Sequence, residues 1–396
     1  MGSLFKQIYR YTRPRAYRHN ENLWPFTRIT RAPSGEISAL RYKGKTVPLV
    51  SLSALKNSMQ GEVLLTATGP STRNIDFSLL SKTIPVMGVN GAWHLADRLH
   101  FSLYTIVDME FFDKKPDIIR AIVSQPDILL FTTMHGIAKI VDRYGDALRC
   151  RLALIEDGCY KIYQPKVASE AIKRTYQQNA AMCFHPQRPD ICFSTDIRQG
   201  IFDAGTVVYW ALQILAWLGF NTILVSGLDM TNFNQPRFYE TQQEKLPSYL
   251  ATKVDTLVMP SFAHAAQVLQ QRQIRVINFP QKALCRILSS KRLRLMSTLK
   301  VSNFARQGYS IVFPLFLFSA RFFACPPGPI ICCIYRSCCY CCRWYARKTA
   351  RRWPGCYASS GRPGRCWRLS LSITPSVMCG AVRRSILTRR SPTACI

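Results

Sequence analysis

The stretch "TVVYWALQILAWLGFNTILVSGLDM", residues 206–230, decides the fold. Residues 206–218 are apolar nearly all round, which suits a helix buried on every side. Gly219 stops that helix, and "NTILVSGLDM" follows as a strand ending on small and polar residues. A buried helix feeding straight into a buried strand is the unit of a parallel sheet covered on both faces.

The same rhythm recurs outward from this pair. Residues 63–66, 86–89, 103–107, 128–131 and 191–193 are short apolar runs, each followed by polar or helix-like sequence. A further helix is expected at 262–271 and a strand at 275–279. The pattern predicts an α/β fold, Rossmann-like, with a mostly parallel sheet and helices on both faces. Such sheets bind ligands beyond the carboxyl ends of their strands. Those ends carry Gly69-Pro70-Ser71, Asn90-Gly91, Asp108 and Ser226-Gly227-Leu228-Asp229, all small or polar where a core needs neither. The first of them lies in "LLTATGPSTRNID", residues 64–76, which matches neither usual glycine-rich nucleotide fingerprint. An ordinary strand-to-helix turn and a ligand cradle both fit it.

Charge divides the chain. The formal net charge is +31, yet the last acidic residue is Asp255. From position 301 onward there are 15 basic residues, 14 of them Arg, and 11 of the 16 cysteines. Residues 1–300 carry 38 basic against 22 acidic side chains, a balance that favours an anionic partner or membrane surface. Cys150, Cys159, Cys183, Cys192 and Cys285 form no C-x-x-C pair and read as thiols of a reducing compartment. No opening apolar stretch has the length of a signal peptide. Three segments are expected: an irregular, basic and aromatic N-terminal arm at 1–60, an α/β domain at 61–300, and an Arg- and Cys-rich disordered tail at 301–396. The arm reads either as a flexible lead or as a contact for an anionic membrane. The tail has the composition of out-of-frame translation, with an anchor and a metal site at "CCYCC" as alternatives. The basic residues form no recognisable nucleic-acid module, so that partner class is set aside.

The segments "LLTATGPSTRNIDFSLL" and "VMGVNGAWHL" resemble the opening of bacterial CMP-sugar-dependent transferases that include the Campylobacter-type sialyltransferases. "GTVVYWALQILAWLGFNTILVSGLDMTNFNQPRFYE" with "LPSYL" is similar to lipopolysaccharide core biosynthesis proteins of the Z type, regarded as transferases of a third Kdo residue. This resemblance spans residues 60–285 and implies a metal-independent glycosyltransferase without a cofactor, taking a CMP-activated keto-sugar to the lipopolysaccharide inner core. It implies a cytoplasmic protein, peripheral at the inner face of the inner membrane. By motif, Gly69, Pro70, Ser71 and Asn90 hold the donor, with Asp108, Thr206, Ser226 and Gly227 as further candidates. Tyr239 and Arg237 are the candidates for the leaving phosphate, and Asp229 or His264 for the base that deprotonates the acceptor. The chain has Thr68 and Asp108 where the sialyltransferases have Asn. Two other readings stand beside this one. Asp108 and Glu110 in "VDMEFFD" resemble the D-x-D of metal-dependent sugar transferases. A catalytically silent scaffold of core assembly is the third.

Overall fold

A computed structural model describes residues 2–229, 235–243 and 250–278. The chain begins with helix α1 (Gly2–Thr12) and an antiparallel sheet of β1 (Thr27–Arg31), β2 (Ile37–Tyr42) and β3 (Lys45–Val47). The expectation of an irregular arm is thereby corrected. Its apolar residues are spaced to bury one side only: Leu23, Ile37, Leu40, Tyr42 and Val47 join the core that also holds Leu64. Polar ties complete the attachment. Arg31 pairs with the buried Glu156, the Tyr163 hydroxyl donates to the Thr27 carbonyl at 2.6 Å, and the Val50 N–H to that of Leu152 at 2.8 Å.

The main sheet follows as β4 (Glu62–Thr66), β5 (Val86–Val89), β6 (Leu103–Ile106), β7 (Leu129–Thr132) and β8 (Arg151–Leu154). Between them stand α2 (Met109–Lys114), α3 (Pro116–Val123) and α4 (Met134–Tyr144). After α5 (Ile172–Tyr176), the strands β9 (Met182–Phe184) and β10 (Cys192–Ser194) form a separate antiparallel pair. The apolar run at 191–193 is therefore not a member of the large sheet. Then come α6 (Val207–Leu218), β11 (Thr222–Ser226), α7 (Met259–Gln271) and β12 (Arg275–Asn278).

Seven strands pair in parallel in the order β12-β11-β4-β5-β6-β7-β8. The period-two alternation of a strand divides the core between the two faces. Leu64 and Leu130 pack with α2, α3 and α4 on one side, whereas Val63, Leu65 and Leu129 pack with α6 and α7 on the other. Helix α6 is buried nearly all round, as its composition demands, and each buried Leu contributes about 1.5–3 kcal/mol. Its lone amide, Gln213, is fully partnered by the main chain of Ser194, Phe202 and Tyr209 at 2.9–3.2 Å. At its end Gly219 has φ +104, and a Cβ there would lie 2.9 Å from the Asn57 Cα.

Beyond β8, Asp157 makes a lone bridge with Ile201, and its carboxylate accepts the Cys159 N–H at 2.7 Å. Burial pushes this carboxyl up to about 7, and the neighbouring Asp203 charge adds to the effect. Because the folded value is raised, Asp157 contributes most below its ordinary carboxylate pKa and loses that contribution as pH rises through about 7. Asp157→Asn should therefore flatten the fall in melting temperature between about pH 5 and about pH 8. Parallel melting curves across that range check this; an unchanged slope counts against it.

Candidate functional site

In strand order, β4 leads outward to β5 while β11 leads outward to β12, so the chain switches direction between β4 and β11. Crevices at such points are where open α/β sheets take ligands. Here the two strand ends run on together as loops. The Ala67 N–H donates to the Ser226 carbonyl and the Gly69 N–H to that of Gly227, both at 2.8 Å. The Ser71 N–H donates to Asp229 Oδ2, also at 2.8 Å. Gly69 permits this approach: a Cβ would stand 2.5 Å from the Gly227 carbonyl and collide with the Asp229 carboxylate. Residues Pro70–Asn74 then form a short 3-10 turn rather than a long helix.

The segment around Tyr239 folds onto this junction. Arg73 donates from Nε to the Phe238 carbonyl at 2.7 Å and from Nη2 to that of Glu240 at 2.9 Å. The Phe238 N–H reaches the Thr68 carbonyl at 3.2 Å. Arg237 pairs with the buried Glu240 at 2.6 Å, so part of its charge serves the turn itself. The Tyr239 ring lies directly over Gly91, where a Cβ would meet its hydroxyl oxygen at 2.6 Å. His94 stacks on that ring at 4.6 Å and 14°. Burial pushes the Tyr239 hydroxyl up to about 12, with the Asp108 and Glu240 charges adding and Arg237 opposing. At neutral pH this phenol is a proton-bearing hydrogen-bond donor.

Asn90 completes the floor. It sits at φ +44, a left-handed conformation that Asn tolerates, and the buried Tyr104 hydroxyl donates to its carbonyl at 2.7 Å. Its Oδ1 is buried without a partner, as are Thr66 Oγ1, Ser71 Oγ, Thr72 Oγ1 and Ser226 Oγ. Among the described residues, half of the ten orphaned buried side-chain atoms thus gather at the ends of β4, β5 and β11. Buried polar atoms are normally satisfied, and such a cluster is suited to hold ordered water or a polar ligand.

The structure brings Gly69, Pro70, Ser71, Asn90, Ser226, Gly227, Asp229, Arg237 and Tyr239 together. Other expected residues are engaged in local structure, although the Asp108 charge also reaches Tyr239. Asp108 caps α2, its Oδ1 accepting the Glu110 and Phe111 N–H groups at 2.9 and 3.3 Å. Glu110 pairs with Lys114 at 2.5 Å. Among the described residues no group of three or more His, Cys, Asp or Glu side chains could hold a metal ion. The Thr206 hydroxyl caps α6 by accepting the Val208 N–H at 3.4 Å. His264 is buried in α7, its Nε2 2.8 Å from the Cys183 carbonyl and its ring 5.6 Å from His185. Burial lowers its pKa, and none of these contacts joins it to Asp229 or Tyr239. Arg73 and His94 were not expected. Arg73 is the sole cation in residues 64–76, and His94 follows Asn90-Gly91 by three positions; those were the available signals.

No family model matches the chain. Over 204 residues it is 25% identical to a probable 3-deoxy-manno-octulosonic acid transferase of Salmonella typhimurium, covering 48% of this chain and 72% of that protein. Over 211 residues it is 21% identical to a protein of the same description from Escherichia coli K12, covering 50% and 71%. Over about half its length, then, the chain is similar to proteins described as probable 3-deoxy-manno-octulosonic acid transferases.

Proposed function

We propose that this chain is a glycosyltransferase of lipopolysaccharide biosynthesis, of the Z type of core biosynthesis proteins, moving 3-deoxy-manno-octulosonic acid from a CMP-activated donor to the lipopolysaccharide inner core. The observation that carries the reading is the gathering of unpartnered polar atoms and the Tyr239 phenol at the switch point. The likeness to the two relatives, and the resemblance of the same loops to sialyltransferases, support it. The small loop at Gly69-Pro70-Ser71 admits the ribose and phosphate, while the Asn90 amide reads the cytosine edge.

The reaction breaks the bond from the anomeric carbon to the CMP phosphate, through an oxocarbenium-like state. Negative charge grows on the departing phosphate, where the Tyr239 hydroxyl and the free edge of Arg237 donate. The acceptor hydroxyl attacks the anomeric carbon and gives its proton to Asp229, whose Oδ2 is held by Ser71 while Oδ1 stays available. Asp108 and Glu110 are engaged locally, so this reading calls for no metal, and a chelator should leave the rate unchanged. The acceptor is reached at the inner face of an anionic membrane.

The test is to incubate the chain with CMP-Kdo and truncated lipopolysaccharide, measuring CMP release and product mass. Asn90→Ala should weaken CMP binding by about 1–3 kcal/mol, the cost of leaving a buried polar partner unpaired, and lower the melting temperature only by the strain of an alanine at φ +44. Absence of any CMP binding by calorimetry would favour the scaffold reading. Early melting of Asn90→Ala with unchanged CMP affinity would make Asn90 a structural residue.

A further inference from the structure

Helix α1 is docked by one face only. Phe5 and Tyr9 set their rings against Trp24, with centroids 6.1 and 5.9 Å apart, and Phe5 also meets Phe26 at 5.5 Å. On the adjoining face stand Leu4, Ile8 and Tyr11, spaced i, i+4, i+7 and 61%, 38% and 90% exposed. Among the described residues, the exposed large hydrophobic side chains are these three with Phe26 and Tyr160. Phe26 leans on α1 through Phe5, and Tyr160 packs at 5.6 Å on His19 in the turn that follows α1. The whole exposed apolar complement of the described chain therefore sits in one region. Apolar patches gathered in this way mark an interaction surface.

Charge selects the partner. Residues 1–20 contain five basic side chains and no acidic one. Arg13 and Arg15 are exposed and make no ion pair among the described residues. A second copy docked on this face would bring like charges together, whereas anionic headgroups attract them. An apolar stripe with a tyrosine at its rim, in a basic segment, is the pattern of a helix lying in a membrane interface.

Position links the patch to the large sheet. The Lys166 N–H donates to the Ala16 carbonyl at 2.8 Å, and the Tyr163 N–H to Asn20 Oδ1 at 3.0 Å. Both belong to the segment after β8, so the patch is tied to the chain that leaves the edge strand of the large sheet.

We propose that the exposed face of α1, with Phe26 and Tyr160, docks the protein onto an anionic lipid surface. Its value to the chain rests on the lipid-linked acceptor proposed above, but the docking itself does not. The test uses the full chain in co-sedimentation with vesicles of phosphatidylethanolamine and phosphatidylglycerol, beside vesicles of phosphatidylcholine alone. Joint Leu4→Gln, Ile8→Gln and Tyr11→Gln substitution should weaken binding to the anionic vesicles about tenfold or more, at unchanged melting temperature. Joint Arg13→Gln and Arg15→Gln substitution should also weaken it and reduce its salt dependence. Equal vesicle binding by both variants and the wild type would overturn the proposal. So would a change confined to self-association by light scattering, which would make the face a protein interface. Transfer to a soluble, delipidated core oligosaccharide should be the same in the α1 variants and the wild type. No transfer by any of them would defeat the transferase reading while leaving the vesicle result to stand alone.

Discussion

Tyr239→Phe should lower turnover by about 10²–10³, a loss of roughly 2.7–4 kcal/mol of transition-state stabilisation, while CMP affinity should stay close to the wild-type value. Charge on the departing phosphate rises only as the glycosidic bond breaks, so a donor aimed there acts on the transition state more than on the bound ground state. The environment prepares the phenol for that task. It lies against Gly91, stacks on His94 and carries its proton well beyond neutral pH. Removing the oxygen leaves the ring packing intact, which makes a folding defect a poor explanation for lost rate. Single-turnover rates alongside calorimetry with CMP separate the two; a wild-type rate in Tyr239→Phe removes the hydroxyl from the mechanism.

Asp229→Asn should lower the rate by about 10²–10⁴, the usual worth of a positioned proton acceptor. An asparagine keeps a carbonyl oxygen for the Ser71 N–H, so the junction between the two loops survives and only proton acceptance is lost. His264→Ala should by contrast cost about 1 kcal/mol of stability, through its lost bond to the Cys183 carbonyl, with a small change in rate. Activity abolished at His264 and retained at Asp229 would reverse the assignment and return the proton to the histidine.

The sheet was legible in most of the strands whose two faces are both buried. The runs that became β4, β5, β6, β7 and β11 are continuous apolar stretches with small residues at the end, and α6 is apolar on every side. Elements with one wet face were hidden. "TRITR" in β1 alternates in and out among charges, whereas "RLAL" in β8 is buried on both faces after its exposed arginine and offers only three apolar residues in a row. The apolar run at 191–193 was seen, but its antiparallel partner at 182–184 is only three residues long and was not. The site was half visible for a related reason. Glycines and short polar residues at strand ends are conspicuous, and so the loops at Gly69, Asn90 and Gly227 could be singled out. Arg73 was not, because its work is to hold main-chain carbonyls of Phe238 and Glu240, and no local pattern announces a partner that distant. Asp108 and Thr206 show the converse. Both carry the residue type of a ligand contact and both cap a helix, and the Asp108 charge also reaches Tyr239. The tail at 301–396 and its alternative readings lie outside the described residues.

Ser71 and Asp229 are 158 positions apart, and β11 is the sixth strand of the large sheet to leave the ribosome whereas β4 is the first. A nascent chain with β4 to β8 already paired therefore owns a single wall of the crevice and an open hydrogen-bonding edge along β4. Only when α6 has crossed back and β11 has slotted in does the second wall exist. On the proposed function, competence to hold the donor nucleotide is consequently acquired late and all at once, so a fluorescent nucleotide bound by stalled chains would time the closure of the sheet.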